Sequence, residues 1–340
     1  MGAAILRGCF AQRISDRMLG HFLIFCAGLT LLSLGADQFL RGATGLARRF
    51  GVREFVIGMV LVGFGTSAPE LTVNLAAVVH GRYDLATGNV VGSNIANIGL
   101  ILGISALLAP LVVQMRLVKV ETPLLIVVSI GFLLLCLDGV LSRMDGLILL
   151  LGFAGLITLV ALDMKQEPQA VQSELAEAVP SNGRDMAWIV VRSIGGLVGL
   201  VIGAELMVDS AVAMARLLGM SELVIGLTIV AIGTSLPELA SSVIAAARGQ
   251  VDIALGNVLG SCLFNLLLII GVTASVHPLP VANSLLWVEL PAMLLFSIAL
   301  LPMMLRRMAI GRTEGLVLLF GYVSFIGWQM WGAFGTVPIA

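Results

Sequence analysis

The stretch GTSAPEL at residues 65–71 returns almost unchanged as GTSLPEL at residues 233–239, an interval of 233 − 65 = 168 positions. At the same interval, GNVVGS at 88–93 is matched by GNVLGS at 256–261. Isolated residues also correspond, such as Glu54 with Glu222. One interval that holds over two polar blocks and over single positions indicates an internal duplication, which weak internal symmetry of this kind typically records. We therefore expect two copies of one structural unit.

The composition excludes a soluble protein. Of the 340 residues, 59% are hydrophobic and only 11% are charged, and the mean hydropathy is +1.07. Soluble domains are about 25% charged, so this chain cannot cover a surface that faces water. The net charge of -1 offers no basic field for nucleic acid. We expect an all-α integral membrane protein that lies in the lipid bilayer, with no nucleic-acid partner and no obligate protein partner.

Apolar runs separated by polar breaks predict ten membrane-spanning helices, since one crossing takes about 20 residues. They lie near 21–40, 54–79, 84–108, 121–138, 143–163, 188–209, 222–247, 252–276, 284–305 and 313–334. The predicted organisation is an N-terminal lead (1–20), repeat one (21–163), a polar cytoplasmic linker (164–187) and repeat two (188–340). Arginines before the first span would suit a signal peptide. However, the Gly-Ala-acid triplet ending at Asp37 recurs at Glu205, which assigns the first span to repeat one.

Five spans in each repeat require the two repeats to cross the membrane in opposite directions. The odd-numbered loops carry 13 Lys and Arg residues, and the other side, with both termini, carries the remaining 6 of the 19. Because Lys and Arg concentrate in cytoplasmic loops, both termini are predicted to lie outside, in the periplasm. The expected fold is two inverted five-helix repeats in the cell inner (plasma) membrane.

An acidic residue stands near the middle of span two and again of span seven. Glu70 follows Pro69, and Glu238 follows Pro237. A carboxylate at this depth costs about 2.5–3.5 kcal/mol on insertion scales, so it is retained for a function. Proline removes one backbone hydrogen bond and clashes with the preceding turn, which predicts that helices 2 and 7 break at these motifs. The freed backbone oxygens must be satisfied by protein, water or a bound ion.

Two such breaks, facing each other, would form an oxygen-rich cation site. Two close carboxylates repel each other, and a divalent cation removes that conflict. Ca²⁺ accepts six to eight oxygen ligands in flexible geometry, and neither His nor Cys stands beside the motifs, which argues against zinc or copper. Asn89, Ser93 and Asn97 share one helical face and would form the other wall, with a second copy at Asn257, Ser261 and Asn265.

Packing is the competing interpretation for the smaller residues of these motifs. Hydroxyl side chains in membrane helices usually bond to their own helix, and the Gly88–Gly92 and Gly256–Gly260 pairs are typical of close helix contacts. Ser67 and Ser235 near carboxylates also left an intramembrane hydrolase open, although no His or Lys base lies beside either serine.

The paired motifs at 65–70 with 88–94, and at 233–238 with 256–261, resemble the alpha-repeats of the Ca²⁺/cation antiporter superfamily, specifically the prokaryotic sodium/calcium exchangers. The resemblance covers nearly the whole chain and implies a secondary antiporter, not an enzyme, with no cofactor. Its transported ions would be Ca²⁺ and Na⁺. It also implies alternating access, with the first helix of each repeat sliding across a rigid core.

The resemblance assigns a role to ten side chains or carbonyl groups. Ca²⁺ would bind Glu70 and Glu238 with the backbone carbonyls of Thr66 and Thr234. Na⁺ sites, or shared sites, would use Ser67, Ser235, Ser93, Ser261, Asn97 and Asn265. Some relatives carry Asp where this chain has Asn265, so H⁺/Ca²⁺ or K⁺-dependent exchange stays open beside Na⁺/Ca²⁺ exchange. A passive cation channel is the alternative outside antiport.

Overall fold

The computed structural model describes residues 2–50, 52–165, 183–218 and 231–335. Most of the predicted linker, Glu222 and the first part of the span 222–247 lie outside these residues. Within them, eight helices are long and apolar enough to cross a membrane. The predicted spans 222–247 and 313–334 have no counterpart among those eight. The described part of the first contains the shorter apolar helix Leu236–Ala247, and the second coincides with the helix Arg312–Gly335.

Most of the described residues form α-helices. In order they are α1 (Gly2–Phe50), α2 (Glu54–Ile57), α3 (Gly63–Thr66), α4 (Ala68–Val79), α5 (Tyr83–Ala96), α6 (Gly103–Leu108), α7 (Thr122–Leu135), α8 (Arg143–Lys165), α9 (Gly183–Leu217), α10 (Ala231–Gly233), α11 (Leu236–Ala247), α12 (Val251–Phe264), α13 (Ile270–Val276), α14 (Leu290–Arg307) and α15 (Arg312–Gly335). Helices α1 and α9 extend past the predicted spans 21–40 and 188–209 at both ends, because no proline interrupts either stretch.

Several long helices contain a wider π-helical turn. These segments are π1 (Gly58–Val62), π2 (Asn97–Leu102), π3 (Leu117–Glu121), π4 (Asn265–Ile269) and π5 (Leu285–Glu289). Each continues directly into the following α-helix. A π-helical turn bonds residue i to i+5 and so takes in one residue more than an α-helical turn, which changes the direction in which the following side chains point. Such bulges are frequent at functional sites. Two of the site residues, Asn97 and Asn265, open π2 and π4.

Short two-residue strands join the loops of one repeat to those of the other. They are β1 (Leu111–Val112), β2 (Val140–Leu141), β3 (Leu279–Pro280) and β4 (Ala309–Ile310). β1 pairs antiparallel with β4, with Leu111 opposite Ile310, and β2 pairs antiparallel with β3, with Leu141 opposite Leu279. Each pair therefore contains one strand from 21–163 and one from 188–340.

The interval of 168 residues recurs in the element boundaries. Adding 168 to the first and last residue of an element in repeat one gives the bounds of its counterpart in repeat two. This holds for α4 and α11, α5 and α12, π3 and π5, and β1 and β3. The sequence interval is thus also a structural one, because equal side-chain patterns, with Pro and Gly at equal positions, start and stop helices at equal places.

Helices α1 and α9 pack against each other at very short range. On α9 the contact is formed by two glycines seven residues apart. A Cβ atom at Gly196 would overlap Phe39 of α1, and one at Gly203 would overlap Leu32 of α1. Gly28 approaches Gly203, whereas Gly42, later in α1, approaches the earlier Ser193, so the two helices run antiparallel. Small residues let membrane helices approach closely enough for extensive van der Waals contact. The heptad spacing of these glycines is a sequence signal that the motif analysis did not use.

The core of the molecule is the α12–π4–α13 helix, which is buried almost completely. Its predicted glycine contact is confirmed: a Cβ at Gly256 would lie 2.5 Å from the Phe55 carbonyl oxygen, and one at Gly260 would lie 2.5 Å from that of Met59. Helix α2 and segment π1 can therefore lie directly on α12. For the Gly88–Gly92 pair, no described residue lies within 4 Å of an added Cβ, so the described part of the chain shows no close contact there.

Candidate functional site

Both acidic residues lie in the first turn of a helix that restarts after a tight turn. Ser67 separates α3 from α4 with φ −86° and ψ 2°, and Ser235 precedes α11 with φ −91° and ψ 5°. The proline that follows each serine by two positions has no N–H for the preceding turn but suits the start of a new helix. Glu70 and Glu238 follow as the third residue of α4 and α11, and both are 1% exposed.

The two motifs are in direct contact although they belong to different repeats. Ser67 Oγ donates a hydrogen bond to Glu238 Oε1 at 3.0 Å. Thr66 Oγ1 lies 3.2 Å from the amide oxygen of Asn257 and also donates to the Val62 carbonyl at 3.0 Å. The turn of repeat one therefore touches both the carboxylate and the polar stripe of repeat two. All these groups are buried.

Oxygen atoms without a hydrogen-bond partner gather in these motifs. Among the described residues, the buried atoms that lack a partner include Glu70 Oε2, Glu238 Oε2, Asn97 Oδ1, Asn265 Oδ1, Thr234 Oγ1 and Ser235 Oγ. Leaving one buried polar atom unpaired costs about 1–3 kcal/mol, and more for a charged group. Since all six atoms are oxygens and two belong to carboxylates, the group has the ligand chemistry that Na⁺ and Ca²⁺ require.

The predicted polar stripes supply hydrogen bonds that hold this region together. Asn257 Nδ2 donates to Ser242 Oγ at 2.7 Å, to Ser241 Oγ at 3.0 Å and to the Glu238 carbonyl at 3.3 Å. In repeat one, Asn89 Nδ2 donates in the same way to Asn74 Oδ1 at 2.9 Å. Asn89 and Asn257 thus fix the helices that carry the glutamates.

Sequence reasoning missed the partners Asn74, Ser241 and Ser242. A signal was available, because Asn74 and Ser242 stand four residues after Glu70 and Glu238, on the same helical face, and are themselves separated by 168 positions. Asn94 was also missed as a contact residue: its amide group donates to the Cys262 carbonyl at 3.3 Å and accepts from Asn265 at 3.0 Å.

Nine of the ten predicted site positions are buried, and the tenth is partly exposed. Thr66, Ser67, Glu70, Ser93, Asn97, Ser235, Glu238, Ser261 and Asn265 are buried, and Thr234 is half-buried. Segment π2, with Asn97, packs against α11, and segment π4, with Asn265, packs against α4. Each of these asparagines therefore stands on a segment of one repeat that packs against the glutamate-bearing helix of the other. Ser261 Oγ donates to the Gly63 carbonyl at 3.4 Å.

The other acidic residues have different surroundings. Glu121 and Glu289 are the last residues of π3 and π5, which begin at Leu117 and Leu285. Glu121 accepts a hydrogen bond from Arg116 Nε at 2.6 Å, and Glu289 accepts one from Gln329 Nε2 at 3.1 Å. Within the described ranges no three His, Cys, Asp or Glu side chains form a metal-binding group, so any cation site there has at most two carboxylates.

The comparison with known families settles which class of protein this geometry belongs to. The sodium/calcium exchanger protein family matches residues 20–162 and 188–331, which correspond to the two repeats. The chain belongs to the sodium/calcium exchanger family. It is therefore a multi-pass membrane antiporter, and the relatives are transporters rather than enzymes.

Individual relatives cover almost the full length of the chain. It is 40% identical over 322 residues to the putative antiporter CaxA of Alkalimonas amylolytica, which covers 92% of this chain and 98% of that protein. It is 35% identical to the sodium/calcium exchanger MaX1 of Methanosarcina acetivorans, with 90% and 97% covered. The inner membrane protein YrbG of Escherichia coli is 36% identical, with 92% and 98% covered.

Solved structures of a sodium-calcium exchanger share the fold. The structure of NCX_Mj soaked with Na⁺ and Sr²⁺ matches with a TM-score of 0.80 and 33% sequence identity, over 91% of this chain and 99% of that chain. NCX_Mj soaked without Na⁺ and Ca²⁺ matches with a TM-score of 0.77 and 33% identity, over 92% and 98%.

Proposed function

We propose that the protein exports Ca²⁺ in exchange for Na⁺ by alternating access at the Glu70–Glu238 site. The observation that carries this proposal is the hydrogen bond from Ser67, in the motif of Glu70, to the Glu238 carboxylate of the other repeat; both carboxylates are buried, and four further oxygens of these motifs lack a partner among the described residues. The combined charge of −2 is neutralised by one Ca²⁺ or by two Na⁺. Because the two cations compete for the same charge, binding of one favours release of the other, which is the requirement for exchange.

The ligands divide between the two ions as the family resemblance suggests. Ca²⁺ binds Glu70 and Glu238 with the carbonyls of Thr66 and Thr234. Na⁺ uses the hydroxyls and amides around them, namely Ser67, Ser235, Ser93, Ser261, Asn97 and Asn265. The turns at Ser67 and Ser235 are the breaks of the second and seventh membrane helices, and they supply carbonyls that a continuous helix would use for its own hydrogen bonds.

The chain has ten membrane helices in two inverted five-helix repeats. The strand pairs support the inversion. β1 precedes the span Leu117–Leu135 and β2 follows it, so a helix of 19 residues, roughly 28 Å long, separates them. β3, the counterpart of β1 at the 168-residue interval, pairs with β2. Equivalent strands of the two repeats therefore lie at opposite ends of a membrane span.

The orientation follows from the arginine-rich loops. With the odd loops in the cytoplasm, both termini are periplasmic, the lead 1–20 precedes repeat one (21–163), and the linker 164–187 is cytoplasmic before repeat two (188–340). β1 and β4 then lie on the cytoplasmic side and β2 and β3 on the periplasmic side of the inner membrane.

Transport of ⁴⁵Ca²⁺ into proteoliposomes with imposed ion gradients tests the proposal. We expect uptake driven by an outward Na⁺ gradient and lost when that gradient alone is dissipated. Uptake that persists with a proton gradient, or that requires K⁺, would favour the H⁺/Ca²⁺ or K⁺-dependent exchangers instead. Single-channel currents far above carrier turnover would indicate a passive channel.

Substitutions at the site separate transport from folding. Glu70→Gln and Glu238→Gln keep side-chain size but remove the charge, so both are expected to abolish uptake while the protein is still extracted as a folded monodisperse species. Glu314→Gln is the matched control. Glu314 is also buried, but it lies in the first turn of α15, where it accepts a hydrogen bond from the Gly311 N–H, outside the proposed site. Full transport by both site variants would refute the assignment.

A further inference from the structure

Asn94 lies at the centre of a chain of hydrogen bonds that ends at the ion site. Its Nδ2 donates to the Cys262 carbonyl at 3.3 Å and contacts Met293 Sδ at 3.6 Å. Its Oδ1 accepts from Asn265 Nδ2 at 3.0 Å. Asn94 and Asn265 are each 1% exposed and Cys262 is fully buried, so water does not compete for these bonds.

Only one orientation of the Asn94 and Asn265 amide groups satisfies all of these hydrogen bonds. A backbone carbonyl can only accept, so the Asn94 group that faces Cys262 must be the NH₂ group. The Asn94 oxygen then faces Asn265 and requires a donor, which fixes the Asn265 amide with its nitrogen toward Asn94. The Asn265 oxygen is therefore directed away from Asn94, and it has no hydrogen-bond partner within the described part of the chain.

The unpartnered Asn265 oxygen stands on a segment next to the proposed ion site. Asn265 opens π4, which packs against α4, the helix that carries Glu70. An amide that presents its oxygen attracts a cation, whereas the same amide rotated by half a turn presents NH₂ and repels it. The orientation of this one group therefore decides whether Asn265 is a ligand or an obstacle.

We propose that Asn94 is a positioning residue of the exchanger, which holds the Asn265 amide with its oxygen toward the transported Na⁺. The proposal rests on the function proposed above. The equivalent residue in the other repeat is Cys262, at 94 + 168. A thiol is a weak hydrogen-bonding group and does not offer the amide oxygen that Asn94 offers to Asn265, so the two repeats differ at this position.

The test compares one substitution in two backgrounds. Asn94→Leu keeps the side-chain size and removes both hydrogen bonds, and we expect it to raise the apparent KM for Na⁺ about tenfold, the effect of about 1.4 kcal/mol. In an Asn265→Asp background, the carboxylate presents an oxygen in either orientation. In this background we expect Asn94→Leu to raise the apparent KM for Na⁺ by less than about threefold, with the same relation between fold-change and free energy. A purely structural role would give the same factor in both backgrounds.

Two controls keep the outcome clear. Asn94→Ser, whose hydroxyl is too short to reach both partners, replaces Asn94→Leu if the leucine variant does not fold, with the same expectation. Ser129→Ala removes a buried hydroxyl that bonds only to the Leu125 carbonyl of its own helix, and its KM is expected to stay at the wild-type value. An unchanged KM in the Asn94 variant, or equal factors in both backgrounds, overturns the proposal while wild-type exchange continues. Absence of Na⁺-driven uptake in the wild type would instead overturn the proposed function.

Discussion

Ser67 Oγ donates a hydrogen bond to Glu238 Oε1 at 3.0 Å, across 171 positions of sequence. This bond joins the turn of one repeat to the carboxylate of the other. The reciprocal bond from Ser235 to Glu70 is not formed, since Ser235 Oγ has no partner among the described residues. The two halves of the site are therefore related by duplication but differ in their hydrogen bonding.

This difference predicts unequal effects of two equivalent serine substitutions. Ser67→Ala removes both a proposed Na⁺ ligand and the donor that bonds to the Glu238 carboxylate, so it is expected to raise KM for Ca²⁺ and for Na⁺. Loss of one hydrogen bond to a charged group, about 1.5–3 kcal/mol, corresponds to a tenfold or greater change. Ser235→Ala removes only a proposed Na⁺ ligand and is expected to leave KM for Ca²⁺ within about twofold, below the effect of one hydrogen bond.

Initial rates of ⁴⁵Ca²⁺ uptake, measured as functions of each ion, provide both constants. Glu314→Gln serves again as the control that leaves them unchanged. Equal Ca²⁺ constants for the two serine variants would show that the Ser67–Glu238 bond does not orient the carboxylate.

The glycine contact between α12 and α2–π1 predicts opposite stability effects for two Gly→Ala substitutions. At Gly260 the new Cβ would lie 2.5 Å from the Met59 carbonyl oxygen, a backbone atom that cannot move aside, so the cost is about 1–3 kcal/mol. At Gly155, which has nothing within 4 Å in the described structure, alanine is expected to stabilise α8 by roughly 0.5–1 kcal/mol.

Thermal unfolding of the detergent-solubilised protein, followed by size-exclusion chromatography after heating, measures both effects. Gly260→Ala should melt below the wild type and Gly155→Ala at or above it. A Gly260→Ala protein as stable as the wild type would mean that the helices separate at little cost.

The strand pairs predict the side of the membrane on which two exposed positions lie. Val112 in β1 is 65% exposed and Val140 in β2 is 41% exposed. In a variant without Cys9, Cys26, Cys136 and Cys262, Val140→Cys is expected to react with a membrane-impermeant maleimide in intact cells. Val112→Cys is expected to react only after permeabilisation, because it lies on the cytoplasmic side.

Two other outcomes of this labelling have different meanings. Labelling of both positions from the same side would contradict the inverted repeat. The reverse pattern would leave the inversion intact and contradict only the orientation inferred from the positive charges.

The sequence singled out the candidate site residues because a buried carboxylate is costly unless it has a function. A mid-span glutamate after a proline, repeated at 168 residues, needs no coordinates to be recognised, and the same interval predicted the matching boundaries of α5 and α12. The predicted spans 21–40 and 188–209 are shorter at both ends than α1 and α9, because hydropathy marks where a helix leaves the apolar core and not where its hydrogen bonding ends. Asn94 belongs to the motif at 88–94, but nothing in its spacing shows which way its amide points.

What the sequence by itself determined is the duplication, the membrane class and the identity of the buried oxygens, since these follow from residue types and their intervals. Only the tertiary structure decided which of these oxygens bond to protein and which have no partner among the described residues. That outcome depends on contacts between residues 171 positions apart, such as Ser67 with Glu238 and Asn94 with Asn265. The physical reason is that hydrogen bonds are directional and short. Two similar repeats therefore form different hydrogen bonds when one has Asn94 where the other has Cys262.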